Sequence, residues 1–372
     1  MVNPPAGLRL RLRLRSFVSS LDPALLATLG ALSLVGLITL YSAASDHPGN
    51  FAGQLRNFLI AGAVMILFAS LPPRVLTRMA IPVYGIGLVA LLAVLVMGVS
   101  VKGAQRWLDI GFTRVQPAEI MKLGVPLMLA WYFDSRAGAL RSIDYLVAIF
   151  LVLVPVALIA RQPDLGTALL VLAAGFFVIF FAGLPWRWLL GMVAGFLAAL
   201  PVVWMLLHDY QRSRIITLLD PMSDPLGKGF HTLQSMIAIG SGGVFGKGWM
   251  QGTQTHLEFI PERTTDFIFA VYSEEFGLIG NLVLIVLFLA LVARALTIAG
   301  HAATPFSRLL AASVAMILFT YAFVNMAMVS GILPVVGVPL PLISYGGTAL
   351  VTIGMACGML MTIQRHRKLV QS

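Results

Sequence analysis

Unbroken apolar runs constrain the fold of this chain more than any other feature. Ten can be marked, near residues 22–44, 54–72, 80–100, 118–133, 144–160, 166–183, 188–208, 266–293, 308–331 and 342–363. Runs of about 18 to 25 residues suffice to carry a helix across the hydrocarbon core of a bilayer. Unpaired backbone groups are not tolerated there, so only helices or closed barrels span it. The runs are continuous rather than alternating, which is the pattern of helices and not of barrel strands. Charged residues make up 11% of the chain, against roughly 25% in a soluble domain. Too few charges are present to coat a soluble globule. The expectation is an all-α integral membrane protein of ten transmembrane helices, with one long extracytoplasmic loop between the seventh and eighth.

The loops give an orientation. With the N-terminus in the cytoplasm, slightly more than half of the 25 Lys and Arg fall inside, in short loops and both tails, as the positive-inside rule asks. The division is then a cytoplasmic tail over 1–21, a membrane domain over 22–365 containing the extracytoplasmic loop 209–265, and a cytoplasmic tail over 366–372. Residues 1–16, with Arg9, Arg11, Arg13 and Arg15, read as a tail and not as a cleavable signal. The cations left outside exceed what topology needs, and they gather in 102–122 and 212–263. They either pair with outer carboxylates or receive an anionic, phosphate-bearing lipid. Cys357, the one cysteine, has no partner and reads as a packing residue.

Several polar motifs interrupt this background. Lys102, Arg106 and Trp107 follow the third span, where Trp107 suits the interface and Arg106 suits a lipid phosphate. Glu119 and Lys122 open the fourth span behind Pro117, three apart and able to pair. A charge pair in the membrane is costly and points to function. Asp164 reads as a helix cap. The long loop contributes Arg212 and Arg214, an amphipathic helix over 231–239, and a glycine-rich stretch over 240–248 that holds Lys247. That stretch lacks the Gly and Ser/Thr positions of a phosphate loop, so its glycines read as tight packing. Glu262, Arg263 and Asp266 lead into the eighth span. Asp266 reads as either a plain N-cap or a general base at the water–lipid boundary. Glu274 and Glu275 lie deeper and need internal partners. The Pro/Gly-rich stretch 333–347 requires a cavity rather than lipid around it.

Taken together, KGAQRWLDIG, QPAEIMK, RQPDLGTAL, DYQRSRI, DPLGKGFHTLQSMIAIGSGG, GKGWMQGTQ, EFIPERTTDFIFAVYSEEFGLIG and GVPLPLISYGG resemble the SEDS family, over roughly residues 25–365. Gln105 and the run LEFIPERT favour its elongation branch over its division branch. One departure is Thr264, where the family usually carries His. The resemblance implies a peptidoglycan glycosyltransferase that polymerises lipid II at the outer face of the cytoplasmic membrane, during cell elongation. It implies Asp266 as general base for the acceptor hydroxyl, with undecaprenyl pyrophosphate leaving. Substrate contacts are expected at Lys102, Arg106, Trp107, Glu119, Lys122, Arg212, Arg214, Lys247, Glu262 and Arg263. No His/Cys metal-ligand pattern exists, so magnesium or manganese would be held by carboxylates and phosphate; no organic cofactor is expected. The implied partners are a class B penicillin-binding transpeptidase, MreC, MreD, MreB and membrane lipid, with no nucleic acid. A lipid II flippase is the rival reading, and a scaffold for a partner synthase is the third. Polar groups concentrated on one side of the membrane favour surface chemistry over transport.

Overall fold

The computed structural model describes residues 21–45, 48–101, 104–109, 111, 114–138, 140–206, 212, 216, 228–256 and 262–367. Its elements, in chain order, are α1 (Pro23–Ala43), α2 (Pro48–Ser70), α3 (Pro73–Met97), β1 (Val99–Val101), β2 (Ala104–Asp109), β3 (Arg114–Val115), α4 (Pro117–Ser135), α5 (Ser142–Arg161), α6 (Leu165–Phe181) and α7 (Trp186–Leu206). They continue with α8 (Lys228–Ser241), α9 (Thr253–His256), α10 (Ile268–Gly300), α11 (Pro305–Val329) and α12 (Gly347–Arg365). Helix starts are written in the sequence. Pro stands in the first turn of α1, α3, α4 and α11, where its missing N–H costs nothing. The Asp22, Asp164 and Thr304 side chains accept from the backbone N–H groups of Leu25, Thr167 and Ser307, the expected capping bonds.

Among the described residues, seven helices are long and apolar enough to cross a membrane: α1, α2, α3, α5, α10, α11 and α12. Helices also lie at the other three expected positions. The α6 and α7 helices are shorter apolar segments, and α4 carries Glu119, Lys122 and Asp134. Three sequence expectations are corrected. The third span ends at Met97, and a small antiparallel sheet in the order β1-β2-β3 follows it, so the fold is not purely helical. Gly98 breaks the helix in extended conformation, and the Val-Ser-Val run behind it favours a strand. The last span begins at Gly347 rather than 342, because Pro339 and Pro341 keep the preceding segment out of a helix. The amphipathic helix of the long loop is α8, longer at both ends than 231–239.

The α11 helix lies at the centre, packed against α4, α6 and α10. Along α12, Gly354 and Gly358 bring its backbone against the carbonyls of Ala61 and Met65 on α2, the close approach that small residues permit between membrane helices. By contrast, no residue of α7 with a described side chain is buried.

Two contacts tie the 266–275 segment to other helices: Ser42 of α1 hydrogen-bonds Glu275, and Asn325 of α11 hydrogen-bonds the backbone of Asp266. Gly277, with φ of 63° and ψ of −159°, breaks α10 into two helical pieces.

At the opposite end, Asp22 joins α1 to α10 through a bidentate pair with Arg294. Burial pushes the Asp22 carboxyl up, but Arg294 and the N–H groups of the helix start outweigh it and hold it below its usual value. A depressed carboxyl contributes stability above its unfolded pKa, and that contribution is lost as pH falls through the folded one. Asp22→Ala should lower the detergent-solubilised melting temperature at pH 7, with the lost cap alone costing about 1 kcal/mol. The gap to wild type should narrow as pH falls through the depressed folded pKa of Asp22, below the ordinary carboxylate range, where Asp22 itself is protonated. An unchanged gap across that range would exclude the ion pair as its source.

Candidate functional site

The turn Glu262–Phe267 carries Asp266. The Glu262 carbonyl accepts from the N–H groups of Thr265 (3.0 Å) and Phe267 (3.3 Å), and the Thr265 hydroxyl donates to the Glu262 carboxylate (3.0 Å). The N-cap of α10 is Phe267, which makes no side-chain cap bond. Asp266 stands one residue before that position.

Three consecutive carbonyls of this turn are held from the far end of the sequence. The Tyr345 N–H donates to Thr264 (2.8 Å), the Ser344 hydroxyl to Thr265 (2.6 Å), and the Asn325 carboxamide to Asp266 (2.9 Å). The same Asn325 nitrogen donates to Val338 at 2.7 Å, and the Leu340 N–H donates to the Ser344 oxygen at 2.8 Å. Gln54 of α2 then fastens this segment, donating to the Ser344 carbonyl and accepting from the Gly346 N–H. Gly337, with φ of 72°, lies against the carboxylate itself: a Cβ there would stand 3.4 Å from Asp266 Oδ2.

Two polar clusters flank this centre. On one side, Val336 touches Gly166 at the start of α6, next to Asp164. The Asp164 carboxylate accepts from Gln116 at 2.9 Å and lies 3.7 Å from Arg106, which also donates to the Pro163 carbonyl at 2.6 Å. Below them, Lys122 and Glu119 form a buried ion pair, with the Thr352 hydroxyl on the second Glu119 oxygen and the Tyr321 ring 4.9 Å from the ammonium.

On the other side, the loop after α8 clips onto the Gly277 bend. Opening the helix frees carbonyls at Glu274 and Glu275 and N–H groups at Leu278 and Ile279. Lys247 and Gly248 donate to the first two, and Gly243 and Val244 accept from the last two, at 3.0–3.1 Å. Side chains reinforce the clip. Glu274 accepts from Lys247 and Thr253 and from the N–H groups of Gln254 and Thr255. Gly246, with φ of 80°, fits only as glycine, since a Cβ would lie 2.1 Å from the Glu275 carbonyl. Gly246→Val should therefore open the clip and lower the melting temperature by several degrees, consistent with a cost of about 2–3 kcal/mol for strain plus backbone clash. A melting curve identical to wild type would show that the loop does not need this approach.

Residues 20–369 match the family described as cell cycle protein, FtsW/RodA/SpoVE. The chain belongs to that family. Other members are similar over nearly its whole length. A peptidoglycan glycosyltransferase MrdB of Escherichia coli K12 is 48% identical over 352 residues, covering 94% of this chain and 95% of the relative. A probable peptidoglycan glycosyltransferase FtsW of Geobacter metallireducens is 35% identical, over 97% and 99%. Among solved structures, a chain from a peptidoglycan synthase complex that coordinates polymerization and crosslinking superposes with a TM-score of 0.82 at 34% identity, over 94% of this chain and 99% of that one. The rod shape determining protein RodA of Thermus thermophilus superposes with a TM-score of 0.72 at 32% identity, over 94% and 98%.

In this family member the substrate-contact candidates fall into distinct places. Arg106, Glu119 and Lys122 flank the Asp266 turn on the α6 side. Lys247 lies in the clip. Arg263, 8% exposed, donates to the Ala43 and Thr255 carbonyls and ties the turn to α1 and α9. Glu262 shapes the turn. Trp107 lies in β2 opposite Val99. Arg212 donates to the Trp204 and Met205 carbonyls at the end of α7. Lys102 and Arg214 lie outside the described residues.

Sequence reasoning named Asn325 and Ser344 only as parts of the motif running from Asn325 to Gly347, and it passed over Gln54. Each is a polar side chain within or beside an apolar run, and that is the signal that marks them. It also passed over His231, whose ring stacks on Phe267 with centroids 5.9 Å apart. Burial holds His231 below the ordinary histidine range, against the opposing pull of Glu262.

Proposed function

We infer that this chain is a peptidoglycan glycosyltransferase, and we propose that it polymerises lipid II with Asp266 as general base. The observation that carries the reading is the Asp266 turn at the head of α10, whose backbone carbonyls are held from Asn325 and Ser344, on a chain 48% identical to a named peptidoglycan glycosyltransferase. Asp266 takes the proton from the acceptor sugar hydroxyl as that oxygen attacks the donor anomeric carbon. The carbon–oxygen bond to pyrophosphate breaks, undecaprenyl pyrophosphate leaves with the electron pair, and configuration inverts. The leaving group needs cations. Arg106, whose side chain is one-third exposed, is better placed for this than Arg263, which is buried among carbonyls.

Among the described residues no three His, Cys, Asp or Glu side chains converge. A magnesium or manganese ion, if bound, would be held by carboxylates together with the substrate's pyrophosphate. Ten spans, cytoplasmic termini, and the Asp266 end facing outward complete the arrangement in the cytoplasmic membrane. A class B penicillin-binding transpeptidase is the expected partner, with MreC, MreD and MreB in the same elongation assembly. The test is polymerisation of purified lipid II by the purified chain, alone and with its transpeptidase, read as glycan length on a gel. Glycan strands are expected. Lipid II moved across a liposome bilayer without any polymer would favour the flippase reading instead.

A further inference from the structure

We propose that Asn325 and Ser344 are positioning residues for the reaction: by pinning successive carbonyls of the 264–266 turn, they fix the direction of the Asp266 carboxylate. The inference rests on the reading of Asp266 as the base. The turn lies before the regular helix, and its first helical position lacks a side-chain cap, so α10 alone does not orient Asp266. Orientation comes from across the bundle. Asn325 is 0% exposed, and one of its carboxamide N–H bonds goes to Asp266 itself and the other to Val338. That single group spans the base and the segment whose Gly337 touches the base's oxygen. Ser344, 5% exposed, does the same one residue earlier, donating to Thr265 and accepting from Leu340. Both side chains therefore link the base's turn to the wall beside it, and neither carries a charge. Their value lies in donation. The Asn325 Oδ1 atom is buried and makes no hydrogen bond.

The geometric consequence is large. A displacement of about 1 Å in a reacting group can cost on the order of 100-fold in rate. Asn325→Asp keeps shape but removes both donors, leaving oxygen against two carbonyls. Ser344→Ala removes one donor, and Ser344→Thr retains it. The experiment compares these variants with wild type and Asp266→Asn in lipid II polymerisation, following kcat, KM and the pH dependence of the rate, with melting curves in detergent. Asn325→Asp is expected to lower kcat about 100-fold and Ser344→Ala about 10-fold, with KM within about 3-fold and the pH profile displaced. Ser344→Thr should restore most of the rate. Should Asn325→Asp fail to fold, the Ser344 pair decides alone. Wild-type kcat and pH profile in a folded Ser344→Ala, beside an inactive Asp266→Asn, would overturn the positioning role and leave the base intact. A fully active Asp266→Asn would instead sink the base itself.

Discussion

Asp266→Asn should abolish glycan polymerisation while the protein still inserts, folds and melts like wild type. A positioned general base contributes about 100- to 10,000-fold, and the amide takes no proton from an acceptor hydroxyl. The substitution is close to isosteric. The Asn325 hydrogen bond to residue 266 runs to its backbone carbonyl, which the change leaves in place. Gly337 leaves room for either side chain, since it presents no Cβ toward Oδ2. Activity should therefore fall without a matching fall in stability. The measurement is initial rate against melting temperature on one preparation, and residual activity above a tenth of wild type would remove Asp266 from the base's role.

Lys122→Met carries the second large effect, and it acts through stability. Lys122 is 2% exposed and its partner Glu119 is 9% exposed. Removing one partner of a buried ion pair strands the other charge, at a cost of about 3–5 kcal/mol. Glu119 would keep only the Thr352 hydroxyl. A drop of that size should show as poor yield and a much lower melting temperature. Pairing it with Glu119→Gln should recover part of the loss, because the stranded charge is gone. If the single and double variants are equally unstable, the pair is not what the lysine provides. The cluster also supports the wall beside Asp266, through Tyr321, which packs with Val338, so catalytic rate should fall together with stability.

The sequence made these two sites visible to different degrees. Asp266 stood out as a carboxylate heading an apolar run, and Glu119 with Lys122 as charges inside one. Charge in a hydrocarbon context is a strong local signal. The helices were legible for the same reason, since their length and their Pro and Asp starts are local. What was not legible is pairing at long range. Nothing in the runs around Asn325 or Ser344 states that they meet residues 264–266, some 60 to 80 positions earlier. The loop at 243–248 gave its glycines but not their partner, the bend at Gly277, because a helix break is invisible when both flanks are apolar. The sheet after α3 was hidden by brevity: three strands of two to six residues fall below the length at which alternation can be counted. The outer cations, read from sequence as two clusters, differ in exposure: Arg263 is buried among carbonyls, whereas Arg106 bonds the Pro163 carbonyl and keeps exposed surface.

The lock on the Asp266 turn also bears on how the protein is made. Its three fasteners, Asn325, Ser344 and Tyr345, come from α11 and the segment between it and α12, and Asp266 precedes them in the chain. During synthesis, which proceeds from the N-terminus, the carboxylate is in the membrane before anything exists to aim it. A chain that stopped after α11 would hold eleven of the twelve described helices and Asn325, but neither Ser344 nor Tyr345. Under the proposed role of Asp266, the turn that carries it gains its full set of fasteners only once the segment after α11 has been made and is held by Gln54 of α2.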